Sequence, residues 1–197
     1  PRQLLRDASP QSPQLRHRRL VRGVRSGDDD LLSRAVDPAN IDLAYLGVVG
    51  AVGDFQDSSH QRLVGLNTEI LKDAVANGDV VAEEDLRYFG RYTRPLNQYL
   101  QYASDPSIPG VSDSPKGCFE LLDSLGIQAK NGSKWRSWKD LTSEEHERAV
   151  DAILDRLGDE ASHAIGEMYR ITRYDSETGL GDAKEFATIL NSCGRYD

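Results

Sequence analysis

IDLAYLGVVGAVGDF, residues 41–55, is an apolar stretch whose reading as helix or strand sets the fold class. Its length and its apolarity on every side fit a buried helix at least as well as a strand. Gly47, Gly50 and Gly53 recur every third residue. On a helix that spacing lines them up roughly along one side, where another backbone can come close. Each glycine costs about 1 kcal/mol against alanine in a helix interior, so close packing has to offset it. The run ends on Asp54, with Asp57 soon after. A carboxylate at the end of a rigid, buried element sits in a partly dry neighbourhood. If ionised, it needs a cation, an arginine or backbone donors. Divalent metals held by aspartate oxygens are one such partner, and two-metal sites use carboxylates to clamp phosphodiesters. The alternative is that Asp54 caps the next turn. Asp57 reads as a turn residue.

Working outward, helical patterns dominate. Leu63, Leu66, Ile70, Leu71, Ala74 and Val75 are helically spaced, and Gly78 is placed to stop that helix. DVVAEEDLRYFGRY (79–92) can hold one or two small strands. A short aromatic helix and a proline-rich loop follow, then a short helix in KGCFELLDSLGI (116–127). QAKNGSKWRSWKDL (128–141) is a turn-rich link carrying Trp135 and Trp138, which suit a hydrophobic clamp over a loop or, with the flanking basic residues, a base-stacking platform. TSEEHERAVDAILDRLG (142–158) is the clearest helix, with a capping box at Thr142 and Glu145 and a stripe of Val150, Ile153, Leu154 and Leu157. The pattern predicts another helix over 160–171 and a last one from Asp182, with Glu185 at its third position. Upstream, LLSRAV (31–36) reads as a short helix and DPAN (37–40) as a turn with a cap at Asn40. Residues 1–30 differ, with prolines, clustered arginines and an aspartate run but almost no apolar periodicity. They read as a loosely held basic arm or a nucleic-acid contact.

Composition narrows the classes. The chain has 197 residues, 38% hydrophobic and 28% charged, enough for one large domain or two small ones with a true core. No apolar run is long enough to span a bilayer. Cys118 and Cys193 stand far apart without C-x-x-C spacing, which argues against a disulfide framework or a cysteine zinc site and suits a reducing cytoplasm. The four histidines are scattered, and His60, His146 and His163 read as helix-surface residues or as partners in local hydrogen bonds. A formal net charge of −8 weakens a simple DNA-binding role but leaves room for an enzyme that meets nucleic acid through a metal and a local groove.

Taken in order, GVVGAVGDFQD, LVGLNTEIL, RYFGRYTRPLNQYLQYASDPSIPGVS and DAKEFATILNSCGR resemble the archaeal RecJ-like proteins of the DHH phosphoesterase superfamily, from Leu31 nearly to Asp197. The resemblance implies a metal-dependent exonuclease acting on single-stranded DNA or RNA in replication or DNA repair, with Mn2+ or Mg2+ as cofactor, some relatives associating with the GINS replication complex. It maps the fourth metal-binding motif of the DHH domain onto Asp54, which would be both metal ligand and catalytic residue. It makes Asn191, Gly194 and Arg195 of LNSCGR the entry to a substrate-holding DHHA1 region. The implied fold is mainly α with minor β, incomplete at both ends. It comprises the end of a DHH α/β domain (31–79), a helical insertion (80–180) and a connecting helix (181–197) toward a DHHA1 domain.

The departures from the family pattern matter equally. D-H-H does not occur in the chain, and the one D-x-D spacing, Asp28–Asp30, lies in the basic arm, so the motifs that would supply most metal ligands have no counterpart here, nor does the glycine-rich DHHA1 motif. The reading is therefore an internal fragment, inactive alone. One choice of codons for QLRHRRLVRGVRSGDDD, read one nucleotide out of frame, yields a segment resembling the family sequence before LLSRAV, so the basic arm can also be read as frameshifted. A reading of another class makes the helical middle a non-catalytic module docking a replication factor. Tyr88, Phe89, Tyr92, Tyr99 and Tyr102 are then its interface or, alternatively, its core.

Overall fold

The computed structural model describes residues 38–175 and 177–194. The basic arm, LLSRAV and Arg195 lie outside the described residues. A 3-10 turn, Pro38–Leu43, leads into helix α1, Ala44–Gly53. Asn40 lies inside that turn instead of capping the helix. Then come α2 (Leu66–Ala76), β1 (Val80–Leu86), α3 (Leu96–Gln101), α4 (Pro115–Ser124), β2 (Lys130–Asn131) and β3 (Lys134–Trp135). The chain continues with α5 (Ser143–Leu157), a one-turn α6 (Ala161–Ala164), β4 (Ile165–Ile171) and α7 (Ala183–Cys193). The fold is mainly α with minor β.

Local chemistry explains most of these boundaries. The glycine-punctuated run is a helix, with Tyr45, Val48, Val49, Ala51 and Val52 all buried. Gly78 takes φ +76°, the left-handed conformation that ends the α2 segment at little steric cost. Thr142 Oγ1 accepts from the Glu145 N–H, and the Glu145 carboxylate accepts from the Thr142 N–H, so the capping box starts α5. Its buried stripe is Ala149, Ile153 and Leu157, with Val150 and Leu154 packed at the margin.

The helix expected over 160–171 is absent. Only Ala161–Ala164 is helical, and Ile165–Ile171 is a strand. It pairs antiparallel with β1 from Val80↔Ile171 to Leu86↔Ile165. A seven-residue run with Ile at both ends and Met and Tyr inside is ambiguous by period alone, and the ladder to β1 decides it.

That ladder also separates two hydrophobic cores. Val80, Tyr169 and Ile171 belong to a flanking core built from α1, α2 and α7. Leu86 belongs to an inner core that holds Leu96, Tyr99, Leu122, Trp138 and Ile153, with Ile165 packed on its edge. The chain enters the inner unit along β1 and leaves along β4, through the paired ends Leu86 and Ile165. The inner unit is thus inserted into the flanking one.

Candidate functional site

α1 delivers its last turn to the surface. Asp54 caps the helix, its N–H bonded to the Gly50 carbonyl at 3.0 Å, and its side chain is exposed. The partly dry setting anticipated for Asp54 is therefore not observed, because the helix leaves its core at Gly53. Phe55 follows in the left-handed region at φ +58°, its ring 73% exposed. A bulky residue held there is strained, and such strain gathers at functional sites. Asp57, read from sequence as a turn residue, is instead the buried carboxylate. It is 2% exposed and accepts from Arg87 Nη2 at 2.8 Å. Burial without a partner would disfavour its charge, and Arg87 supplies the partner.

α7 lies against this end of α1. A Cβ placed on Gly53 would sit 2.9 Å from the Ala187 Cβ. The glycine is needed for that approach. Beside it opens a pocket of about 260 Å³, walled by Val52, Gly53 and Phe55 from α1 and by Lys184, Thr188, Asn191 and Ser192 from α7. The structure thus brings Asn191 across a small cavity from the Asp54 end of α1. Gly194 caps α7 and is exposed.

The opposite end of α7 is a buried polar latch onto the inner unit. Asp182 caps the helix, accepting from the N–H groups of Lys184 and Glu185. Glu185 does not return to its own cap. Its carboxylate accepts from the Tyr92 and Thr93 N–H groups at 2.8 and 3.1 Å, and from the Thr93 hydroxyl. Lys184 Nζ donates to the Arg87 carbonyl at 3.0 Å. Burial raises the Glu185 and Asp182 pKa values and lowers that of Lys184.

Arg91 is the centre of the latch. Its Nη2 lies 2.7 Å from Glu83 Oε1 and 2.9 Å from Asp85 Oδ2, and its Nη1 lies 3.7 Å from Asp182 Oδ2. Asp85 Oδ2 also accepts from Trp138 Nε1, while Oδ1 accepts from the Leu86 N–H and meets His146 Nε2 at 2.9 Å. Burial alone would raise the Asp85 pKa. The hydrogen bond to His146 and the Arg91 charge outweigh it and hold the carboxyl below its ordinary range. A cleft of about 360 Å³ opens beside these groups, with Arg170 and Glu147 on its rim.

Residues 88–165 match the family model of the DHH-CID domain. The matched stretch is almost coextensive with the inner core, and the match supports DHH superfamily membership. No curated protein matches the chain.

The matched unit accounts for most of the aromatic candidates. Tyr88, Tyr92 and Tyr99 are buried, Phe89 is half-buried and Tyr102 is exposed. The two tryptophans part company: Trp138 is 1% exposed and central to the inner core, whereas Trp135 is 42% exposed. They do not form one clamp. His146, expected on a helix surface or in a local hydrogen bond, is half-buried between the Trp138 ring and Asp85, a partner far away in sequence. Sequence reading missed the Arg91 latch. Its one legible sign was Glu83 and Asp85 two apart on a strand, hence on one face, with Arg91 soon after.

Among the described residues, no group of three or more His, Cys, Asp or Glu could hold a metal ion. Asp54 offers one donor, which does not make a two-metal centre, and no catalytic step follows from these residues alone. Among the described residues no helix is long and apolar enough to cross a membrane.

Proposed function

We propose that the chain is part of a metal-dependent phosphodiesterase resembling the RecJ-like exonucleases, one that hydrolyses single-stranded DNA or RNA. The supporting observation is the α1–α7 pocket, where Asn191 lies across from Gly53 and Phe55, the two chain neighbours of the exposed Asp54. Asp54 is available to Mn2+ or Mg2+, hard cations that take oxygen ligands. Asn191, the Gly194 backbone and Arg195 are suited to a phosphate, arginine through its planar fork of donors. The remaining metal donors would come from outside the described residues, so the chain alone is expected to hydrolyse little or nothing. On this reading a partner such as GINS would meet the DHH-CID unit, where Tyr102, 52% exposed, is the one exposed ring among the five aromatic candidates.

The test is paramagnetic broadening by Mn2+, which registers weak binding. Amide signals of residues 54–56 and 191–194 should broaden at low Mn2+, and Asp54→Asn should abolish the effect. Broadening spread over the other acidic surfaces, unchanged by that substitution, would sink the proposal.

A further inference from the structure

A second groove, of about 280 Å³, opens on the DHH-CID unit between Tyr92–Pro95 and the β2–β3 hairpin with the turn after it. Arg94, Lys134, Arg136 and Lys139 face Asp140 and Glu177 there, an excess of two positive charges on a chain of formal net charge −8. Trp135 stands at its rim, 42% exposed, with the Lys130 ammonium 4.1 Å from the ring centroid. Core packing does not explain this ring, since Trp138 fills that role. Arg94 is stacked 4.9 Å from the Phe89 centroid and 5.1 Å from that of Tyr102. Its guanidinium donates to the Phe89 carbonyl, and among the described residues no carboxylate pairs with it.

We infer that this groove binds a single strand of nucleic acid, with a base stacked on Trp135 and phosphates met by Lys134 and Arg94. Stacking platforms set in a positive groove are how proteins hold single strands without reading their sequence. An acidic peptide would satisfy the charges but has no flat face for the tryptophan. Glu177 competes with the strand: it holds Lys134 at 2.7 Å and Lys139 at 3.0 Å, and Lys139 is also held by Asp140 at 2.8 Å. Arg136 is held by Glu145 and is a structural cation here. The groove adjoins the latch, because Thr93 lines it and is gripped by Glu185 of α7. From Asp182, α7 runs to Asn191 at the first pocket, roughly 14 Å at 1.5 Å per residue. The inference takes its ligand class from the proposed function and adds a separate contact surface.

The experiment is anisotropy of a labelled oligo(dT) with the chain at low salt, in chelator. Trp135→Ala should weaken binding about tenfold, within the range of stacking contributions, and Arg94→Ala should weaken it further. Glu177→Gln removes the charge that pairs with Lys134 and leaves Lys139 with Asp140 alone, and should tighten binding several-fold, a gain that misfolding would not produce. Wild-type affinity in Trp135→Ala, no change in Glu177→Gln, or no binding by the unmodified chain would each overturn the groove. So would capture of polyglutamate in place of the oligonucleotide. If Asn191→Ala loses binding while Trp135→Ala keeps it, the strand enters at the α1–α7 pocket. In that event the groove fails and the proposed function stands.

Discussion

The two cores of this chain are built from similar elements and finish differently. The matched inner unit folds short helices around Tyr99 and Trp138, and the longest of them turns a polar face outward, with Tyr102, Phe119 and Trp135 the large apolar side chains left exposed there. The flanking unit contains the most apolar helix, yet Leu46, Phe55, Leu66, Val75 and Leu190 on or beside its helices are exposed. Apolar content therefore does not predict closure. A helix apolar on every side has no face suited to water, so burying one side still leaves the other bare. An amphipathic helix completes its burial with one neighbour. The two units also meet differently from how each coheres internally: the β1–β4 ladder and the charged Arg91 latch join them.

The largest test of that contrast removes the latch. Arg91→Ala leaves Glu83, Asp85 and Asp182 facing one another in a buried site. Stranding buried charges in this way costs about 3–5 kcal/mol. In urea, the unmodified chain should lose Trp138 fluorescence and far-UV circular dichroism in one shared transition. The variant should unfold at lower urea, with the two signals separating as the units uncouple. A variant midpoint equal to wild type would mean that the ladder alone joins them.

A smaller effect is expected at the helix crossing of the flanking unit. Gly53→Ala gains about 1 kcal/mol of helix propensity but drives a methyl to 2.9 Å from the Ala187 Cβ. Overpacking of this kind costs about 1–3 kcal/mol, so a net loss of about 1 kcal/mol is expected. The loss should appear as a lower urea midpoint. Because α7 must move, amide shifts at residues 54–56 and 188–192 should change while those around Trp138 stay put. Equal changes in both units would contradict the separation of the cores.

How much of this could be read from the sequence follows from range. Features set within a turn or two were legible: the Thr142–Glu145 box, the Gly78 stop and the Asp182 cap, while the apolar run of α1 stayed open between helix and strand. The helix predicted over 160–171 failed because β4 exists only through β1, about eighty residues earlier. The carboxylates failed for a similar reason. Asp54 and Asp57 are three residues apart, and which one is buried depends on where Arg87 lies. Glu185 looked like half of a capping box, but its side chain reaches the distant Tyr92 and Thr93 amides. The inner unit was legible as helical, whereas its closure through Asp85, Arg91 and His146 joins groups that no local pattern connects.

The smallest expected effect concerns His146, which shares Asp85 with the Arg91 latch. Its hydrogen bond to Asp85 raises its pKa; burial and the Arg91 charge oppose the rise, and Glu83 adds to it. Its ring also meets the edge of Trp138, centroids 5.2 Å apart. A raised folded-state pKa means that the folded protein holds this proton more tightly than the unfolded chain. The resulting stability is complete below the unfolded value, about 6.5, and is lost as pH climbs through the folded value. The side chain is one-third exposed, so solvent screening holds the effect to about 1 kcal/mol or less. His146→Gln keeps a donor near Asp85 but cannot titrate, so its stability should be flat across that interval while the unmodified chain declines. The decline should appear in Trp138 fluorescence and, if the latch couples the units, equally in the α1–α7 amide shifts. Parallel pH profiles for the two proteins would mean that Asp85 is held by Arg91 and Trp138 alone, and that the histidine is a neighbour of the latch without being part of it.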